Sequence, residues 1–145
     1  MGWGLDFTNR ADADDLTVGI IGLGYVGLPT AIGFHDAGLE IWGVDVSQRT
    51  VDMARAGKNP TGDPDVDDII PVPGTERWNI TNSSAEAVPH CDVILVTVPT
   101  PITSDLKPDI SYVQKAGYDV FHLWKGVQKT VVLVSTVYPG VIAQI

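Results

Sequence analysis

Gly22-Leu23-Gly24-Tyr25-Val26-Gly27 decides how this chain is read. The six residues satisfy G-x-G-x-x-G, and each glycine answers a separate steric demand. The first turns the chain sharply, the second leaves backbone open to close approach, and the third lets a helix pack tightly on the preceding strand. Immediately before the motif, Thr17–Ile21 is a short β-branched run that reads as a buried strand. Immediately after it, residues 25–37 read as a helix, ended by Gly38 where a left-handed cap is wanted. This order puts a helix N-terminus, with unpaired N–H groups and the positive end of its dipole, against the turn. Such an end binds phosphate, and Tyr25 and Val26 would supply N–H groups to it. A glycine turn alone also marks any tight loop, so its surroundings must carry the argument.

Working outward, residues 39–44 form a second apolar strand that finishes at Asp45, 21 positions beyond Gly24. A dinucleotide site wants an acid about 20 residues on, where it accepts hydrogen bonds from both adenosine ribose hydroxyls. A carboxylate there also repels a 2′-phosphate, so the spacing favours NAD over NADP. Arg49, four residues later, softens that discrimination, and a plain loop acid is the rival reading of Asp45.

Ser47 is placed to cap a second helix reaching about residue 56, closed by Gly57 and Pro60. Four prolines, two glycines and four aspartates make residues 58–75 loop or short irregular helix. Residues 78–81 read as a third strand, and Ser83 or Ser84 as the cap of a single turn before Pro89. Asp92 opens a nearly continuous apolar run to residue 98, the pattern of a parallel strand covered on both faces, stopped by Pro99 and Pro101. Asp109 is expected to cap a helix with apolar positions at Ile110, Val113, Ala116, Val120, Phe121 and Leu123, reaching about residue 124. Residues 130–134 make a fifth strand, and Pro139 suits the first position of a further helix.

Strands alternating with crossover helices imply a parallel, right-handed α/β sheet: doubly wound, Rossmann-like, and truncated after the fifth strand. Residues 1–15 are expected to be a flexible tail, and residues 16–145 an incomplete dinucleotide-binding domain. At 145 residues the chain has room for one core.

Eighteen acids against nine bases give a net charge of −9, which repels a phosphate backbone and argues against nucleic-acid binding. Fifteen of those acids are Asp and only five residues are Lys, a bias that suits high salt as well as an ordinary acidic surface. One cysteine, Cys91, forms no internal disulfide and no four-ligand zinc site, so no metal is expected and the implied setting is cytoplasmic. The N-terminal residues lack the apolar run of a signal peptide, and no stretch approaches the roughly 18 apolar residues of a membrane span. His35, His90 and His122 sit in no metal or general-base motif, and His35 and His122 read as surface or satisfied side chains.

Three stretches in this order resemble the UDP-glucose/GDP-mannose dehydrogenase family: Gly22 to Pro29, Val98-Pro99-Thr100-Pro101, and Ser135-Thr136-Val137-Tyr138-Pro139-Gly140. Joint occurrence is far more specific than any one of them, and the likeness runs from Val18 to the C-terminus. The wording is most similar to members that oxidise UDP-N-acetylhexosamines. Such enzymes convert a sugar C6 alcohol to a carboxylate with two NAD per product, through a thiol-bound intermediate on a cysteine.

The resemblance implies that Gly22, Leu23, Gly24, Tyr25, Val26 and Gly27 hold the pyrophosphate and Asp45 the ribose. Arg49 is a further cofactor candidate, although the family often places its base one position later, at Thr50 here. Val98, Pro99 and Thr100 would line the cofactor, as would Ser135 and Thr136, with Thr136 beside the nicotinamide as the one residue near the chemistry. A simple strand terminator is the rival for Pro99-Thr100-Pro101, and a hydroxyl satisfying local backbone is the rival for Thr136.

The family's nucleophilic cysteine, its oxyanion-stabilising lysine and asparagine, and its proton-transfer acids lie beyond the fifth strand, with no counterpart here. Cys91 reads as a structural thiol. The implied parent therefore takes a UDP-sugar substrate, while this chain alone is expected to be inactive. Family dimers form through a helical middle domain, so the oligomeric state of these residues stays open. Two other readings compete: a stand-alone NAD-binding regulatory module, and a fragment of a hydroxyacid or 6-phosphogluconate-type dehydrogenase.

Overall fold

The computed structural model describes residues 15–124 and 129–144. The expected tail, residues 1–15, lies outside the described residues except for exposed Asp15. Among the described residues five strands form one parallel sheet: β1 Thr17–Ile21, β2 Glu40–Val44, β3 Trp78–Thr81, β4 Val93–Val96 and β5 Thr130–Leu133. Their spatial order is β3-β2-β1-β4-β5. Because β1 is hydrogen-bonded to both β2 and β4, the connections leave its end in opposite directions, and a crevice opens there.

Among the described residues four α-helices make the covering layers: α1 Gly27–Asp36, α2 Gln48–Arg55, α3 Ser84–Ala87 and α4 Ser111–Leu123. Alternation along the strands sends side chains into two separate cores. Val18 and Ile20 of β1 join Leu28, Ala31 and Ile32 of α1 and Val51 and Ala54 of α2 on one face. Ile21 joins Val44, Ile94 and Val96, with Ala87, Val88, Ala116 and Val120 of the α3 and α4 side, on the other. Burying each larger aliphatic side chain contributes about 1.5–3 kcal/mol, so both layers are held by the strands' period of two.

The strand reading is met at β1 and β3, while β2 begins one residue late and β4 and β5 are shorter than their apolar runs. In β4 the paired residues end at Val96 opposite Ile21, and Thr97 adds a last ladder bond, its N–H to the Ile21 carbonyl at 2.9 Å, while its hydroxyl bonds the β1 exit. The first helix starts at Gly27, not at residue 25, since Tyr25 and Val26 are spent on the turn. Ser47 and Ser83 cap α2 and α3 as expected, their hydroxyls accepting from Thr50 N–H and Glu86 N–H at 3.3 Å each.

Two expectations are corrected. Asp109 is not the cap of α4: Ile110 holds that position without a side-chain bond, and Asp109 stands one residue outside it. There its carboxylate accepts the Ser111 N–H at 2.9 Å, closing a local turn that leads into the helix. Pro139 does not begin a helix either. It lies in a turn with Gly140, whose φ of +94° stops helical propagation, and only a short 3-10 segment, Ile142–Gln144, follows. Within residues 58–75 the irregular helix is a single 3-10 turn, Pro64–Val66, capped by Asp63.

Candidate cofactor site

A cavity of about 860 Å³ opens at the carboxyl ends of the strands. Its floor is the β1–β2–β4 crevice, with Ile21, Val44 and Thr97, and one wall is the glycine turn, with Gly22, Gly24, Tyr25 and Val26. Asp45 and Val46 continue from β2, Val98, Pro99 and Thr100 from β4, and Ser135 and Thr136 from β5. The tertiary fold thus brings together residues up to 115 positions apart, from Ile21 to Thr136.

The glycines divide their work as steric reasoning requires. Gly22 has φ of +99°, and a Cβ there would meet the backbone of Thr97 and Val98 at 3.1 Å. A Cβ at Gly27 would fall 1.8 Å from the Gly22 carbonyl oxygen, so only glycine lets α1 pack this close. Above Gly24 a Cβ would meet nothing within 4 Å, which leaves backbone open toward the cavity. The α1 N-terminus has no side-chain cap and no acid in its first turn, whereas α2 and α3 are capped by serines. Of its leading N–H groups, that of Leu28 donates to the Gly24 carbonyl at 3.1 Å, and a bound anion would suit those ahead of it.

Asp45 is half-buried and already engaged. One carboxylate oxygen accepts the Leu23 N–H at 2.9 Å and the other accepts the Ser47 N–H at 2.8 Å. Each oxygen keeps a lone pair, enough for one ribose hydroxyl apiece. The residues therefore fit a dinucleotide: open backbone at the turn, an uncapped helix end, and an acid held at the neighbouring strand.

Not every expected residue lines the cavity. Leu23 and Gly27 are buried beneath the turn, Leu23 as part of the core. Arg49 is exposed on the first turn of α2 and is not among the lining residues. Ser135 lines the space, but its hydroxyl donates to the Val98 carbonyl at 2.7 Å, tying the β5 exit to the β4 exit. Thr136, one residue on, is exposed at the rim.

Sequence reasoning missed a whole wall. Tyr112, Lys115, Ala116, Asp119, His122 and Leu123 of α4 line it, and the Lys115 ammonium donates to the Asp119 carboxylate at 2.9 Å. Their spacing of three to four residues is a second stripe on α4, legible as helical but not as cavity-facing. His122, expected as a surface or satisfied side chain, is exposed and borders this space, stacked on Tyr118 with ring centroids 5.4 Å apart. Asn82, Ser83, Ser84 and Ala85 at the start of α3 complete the groove.

Cys91 stands elsewhere, just ahead of β4 at the opposite end of the sheet, buried in the second core, its thiol donating to the Ala87 carbonyl. Burial pushes the thiol up to about 12 against the pull of Lys129, with Asp92 and Glu40 adding to the rise. A protonated, enclosed sulfur is a packing group. Among the described residues no cluster of three or more His, Cys, Asp or Glu could hold a metal ion. No described helix is long and apolar enough to cross a membrane.

Comparison with known proteins agrees with this geometry. The UDP-glucose/GDP-mannose dehydrogenase family, NAD binding domain, matches residues 16–145. An NDP-N-acetyl-D-galactosaminuronic acid dehydrogenase of Ralstonia nicotianae is 33% identical over 106 residues, 73% of this chain and 24% of the relative. The UDP-N-acetyl-D-mannosamine dehydrogenase of Escherichia coli K12 is 34% identical over 104 residues, 72% of this chain and 24% of that protein. A ternary complex of GDP-mannose dehydrogenase from Pseudomonas aeruginosa has a similar fold, with TM-score 0.82 and 32% identity over 87% of this chain and 30% of that one. The chain spans about a quarter of the length of these curated relatives. With the strand order, the glycine turn and the held acid all present in one parallel sheet, the likeness over residues 16–145 is decisive: the chain belongs to the UDP-glucose/GDP-mannose dehydrogenase family, as its NAD-binding domain, and NAD is its cofactor.

Proposed function

We propose that this chain supplies the NAD seat of a cytoplasmic enzyme that oxidises the C6 alcohol of a UDP-sugar, UDP-glucose or a UDP-N-acetylhexosamine, to a uronic acid. Bound NAD supplies the hydride acceptor. The observation that carries the reading is the uncapped α1 N-terminus at the open face of Gly24, with Asp45 held one strand away. The names of the relatives, which concern N-acetylated nucleotide sugars, support the substrate class.

In this reading the N–H groups of Tyr25 and Val26 bind the pyrophosphate and the remaining lone pairs of Asp45 take the ribose hydroxyls. Val98, Pro99 and Thr100 form the ledge that excludes water from the cofactor's inner face. Ser135 holds that ledge to β5, and Thr136 stands next to the nicotinamide end. Arg49 has no assigned contact. The 145 residues turn over no sugar by themselves, because Cys91, the one thiol, is walled into the core at the far end of the sheet.

Calorimetric titration of the folded chain with NAD and NADP tests the proposal. Binding of NAD at least tenfold tighter than NADP, with no NADH formed from any UDP-sugar, is expected. A folded chain that ignores NAD, or that prefers NADP, ends the reading.

A further inference from the structure

The first carbonyl of the glycine turn is bonded by a residue outside the motif. Thr97, just past β4, donates its hydroxyl to the Gly22 carbonyl at 2.7 Å, with the Ile21 carbonyl 3.1 Å away. Its backbone N–H extends the β1–β4 ladder to Ile21 at 2.9 Å. The same Gly22 carbonyl presses against Gly27, where a Cβ would come within 1.8 Å of it. That oxygen is therefore clamped between the first turn of α1 and one hydroxyl, 75 residues along the chain.

The clamp has a directional consequence. With the Gly22 carbonyl pointed inward at Thr97, the peptides that follow are turned so that Gly24, Tyr25 and Val26 face the cavity. Without the hydroxyl, the carbonyl loses its partner and the Gly22–Leu23 peptide keeps the Leu23 N–H bond to Asp45, so one of the two bonds that aim the following N–H groups is gone.

We infer that Thr97 is a positioning residue for the cofactor: its hydroxyl aims the anion-binding N–H groups of the glycine turn without touching the ligand. This inference rests on the NAD seat proposed above. It separates two jobs of β4, since the ladder N–H belongs to any residue at 97, whereas the aiming bond needs a hydroxyl.

Thr97→Val keeps β-branching and replaces the hydroxyl by a methyl; Thr97→Ser keeps the hydroxyl. NAD titration of the intact chain, paired with thermal unfolding and amide exchange at residues 24–26, decides the matter. Thr97→Val is expected to fold, to bind NAD about tenfold more weakly, and to exchange those amides faster, while Thr97→Ser binds within about twofold of the parent. Equal NAD affinity in Thr97→Val and the parent overturns the inference, as does a Thr97→Ser chain as weak as Thr97→Val. A Thr97→Val chain that loses its fold also overturns it, because the hydroxyl would then be holding the sheet and not aiming the turn. If the parent itself fails to bind NAD, the proposed function falls first, and this inference with it.

Discussion

The Asp45 carboxylate accepts the Leu23 N–H at 2.9 Å, so the acid at the end of β2 is bonded to the centre of the glycine turn before any ligand arrives. Together with the Ser47 N–H at 2.8 Å, this bond fixes both carboxylate oxygens. The site is pre-organised, and little ordering remains to be done on binding. Asp45→Asn should therefore damage more than charge. An amide accepts through one atom only, so its NH₂ must face a backbone donor. Hydrogen bonds to a charged acceptor contribute about 1.5–3 kcal/mol, so NAD affinity should fall tenfold or more. NADP should lose less, and the ratio of the two affinities, measured by calorimetry, should shrink.

Two glycines of the motif should fail in opposite ways. Gly27→Ala forces a Cβ to 1.8 Å from the Gly22 carbonyl, and overpacking of this kind costs about 1–3 kcal/mol, visible as a lower Tm. Gly24→Ala meets nothing within 4 Å, so stability should stay within about 0.5 kcal/mol of the parent. In the proposed binding mode its methyl instead occupies the side from which the pyrophosphate approaches, and NAD binding should weaken by roughly an order of magnitude.

Cys91 should resist thiol reagents until the chain unfolds. Burial raises its pKa from 9.0 to about 12, so between those values the unfolded thiol has lost its proton while the folded one keeps it. Stability from this group is whole below pH 9.0 and falls as pH rises, by about 1.4 kcal/mol per unit, until the folded thiol ionises near 12. Cys91→Ala should remove that part of the alkaline decline and leave NAD binding unchanged. Denaturant curves across the range, and a titration at pH 8, check both halves.

Asp109 governs the entry to α4. Its bonds to the Ser111 side chain and N–H hold its carboxyl below the usual carboxylate range. The stabilisation is present above the unfolded pKa and is lost as pH falls through the depressed folded value. Asp109→Ala should lower Tm at neutral pH, and the difference from the parent should vanish in acid. Circular-dichroism melts at several pH values test it.

What the sequence determined by itself is what depends on near neighbours. A β-branched run followed by three spaced glycines forces strand, turn and helix, and serines at 47 and 83 announce their helices through hydroxyls that reach only three residues. The acid 21 positions past Gly24 was legible for the same reason, because one βαβ unit sets that interval. Tertiary structure alone decided the rest. Lys115 and Asp119 line the crevice only because α4 packs beside it, and Pro139 looked like a helix start until Gly140 took φ of +94°. Thr97 carried no local sign of its bond to Gly22, since a hydroxyl and a carbonyl 75 residues apart meet only when β4 pairs with β1. Local sterics write turns and caps into the chain, whereas the walls of a cavity exist only once distant elements share a sheet.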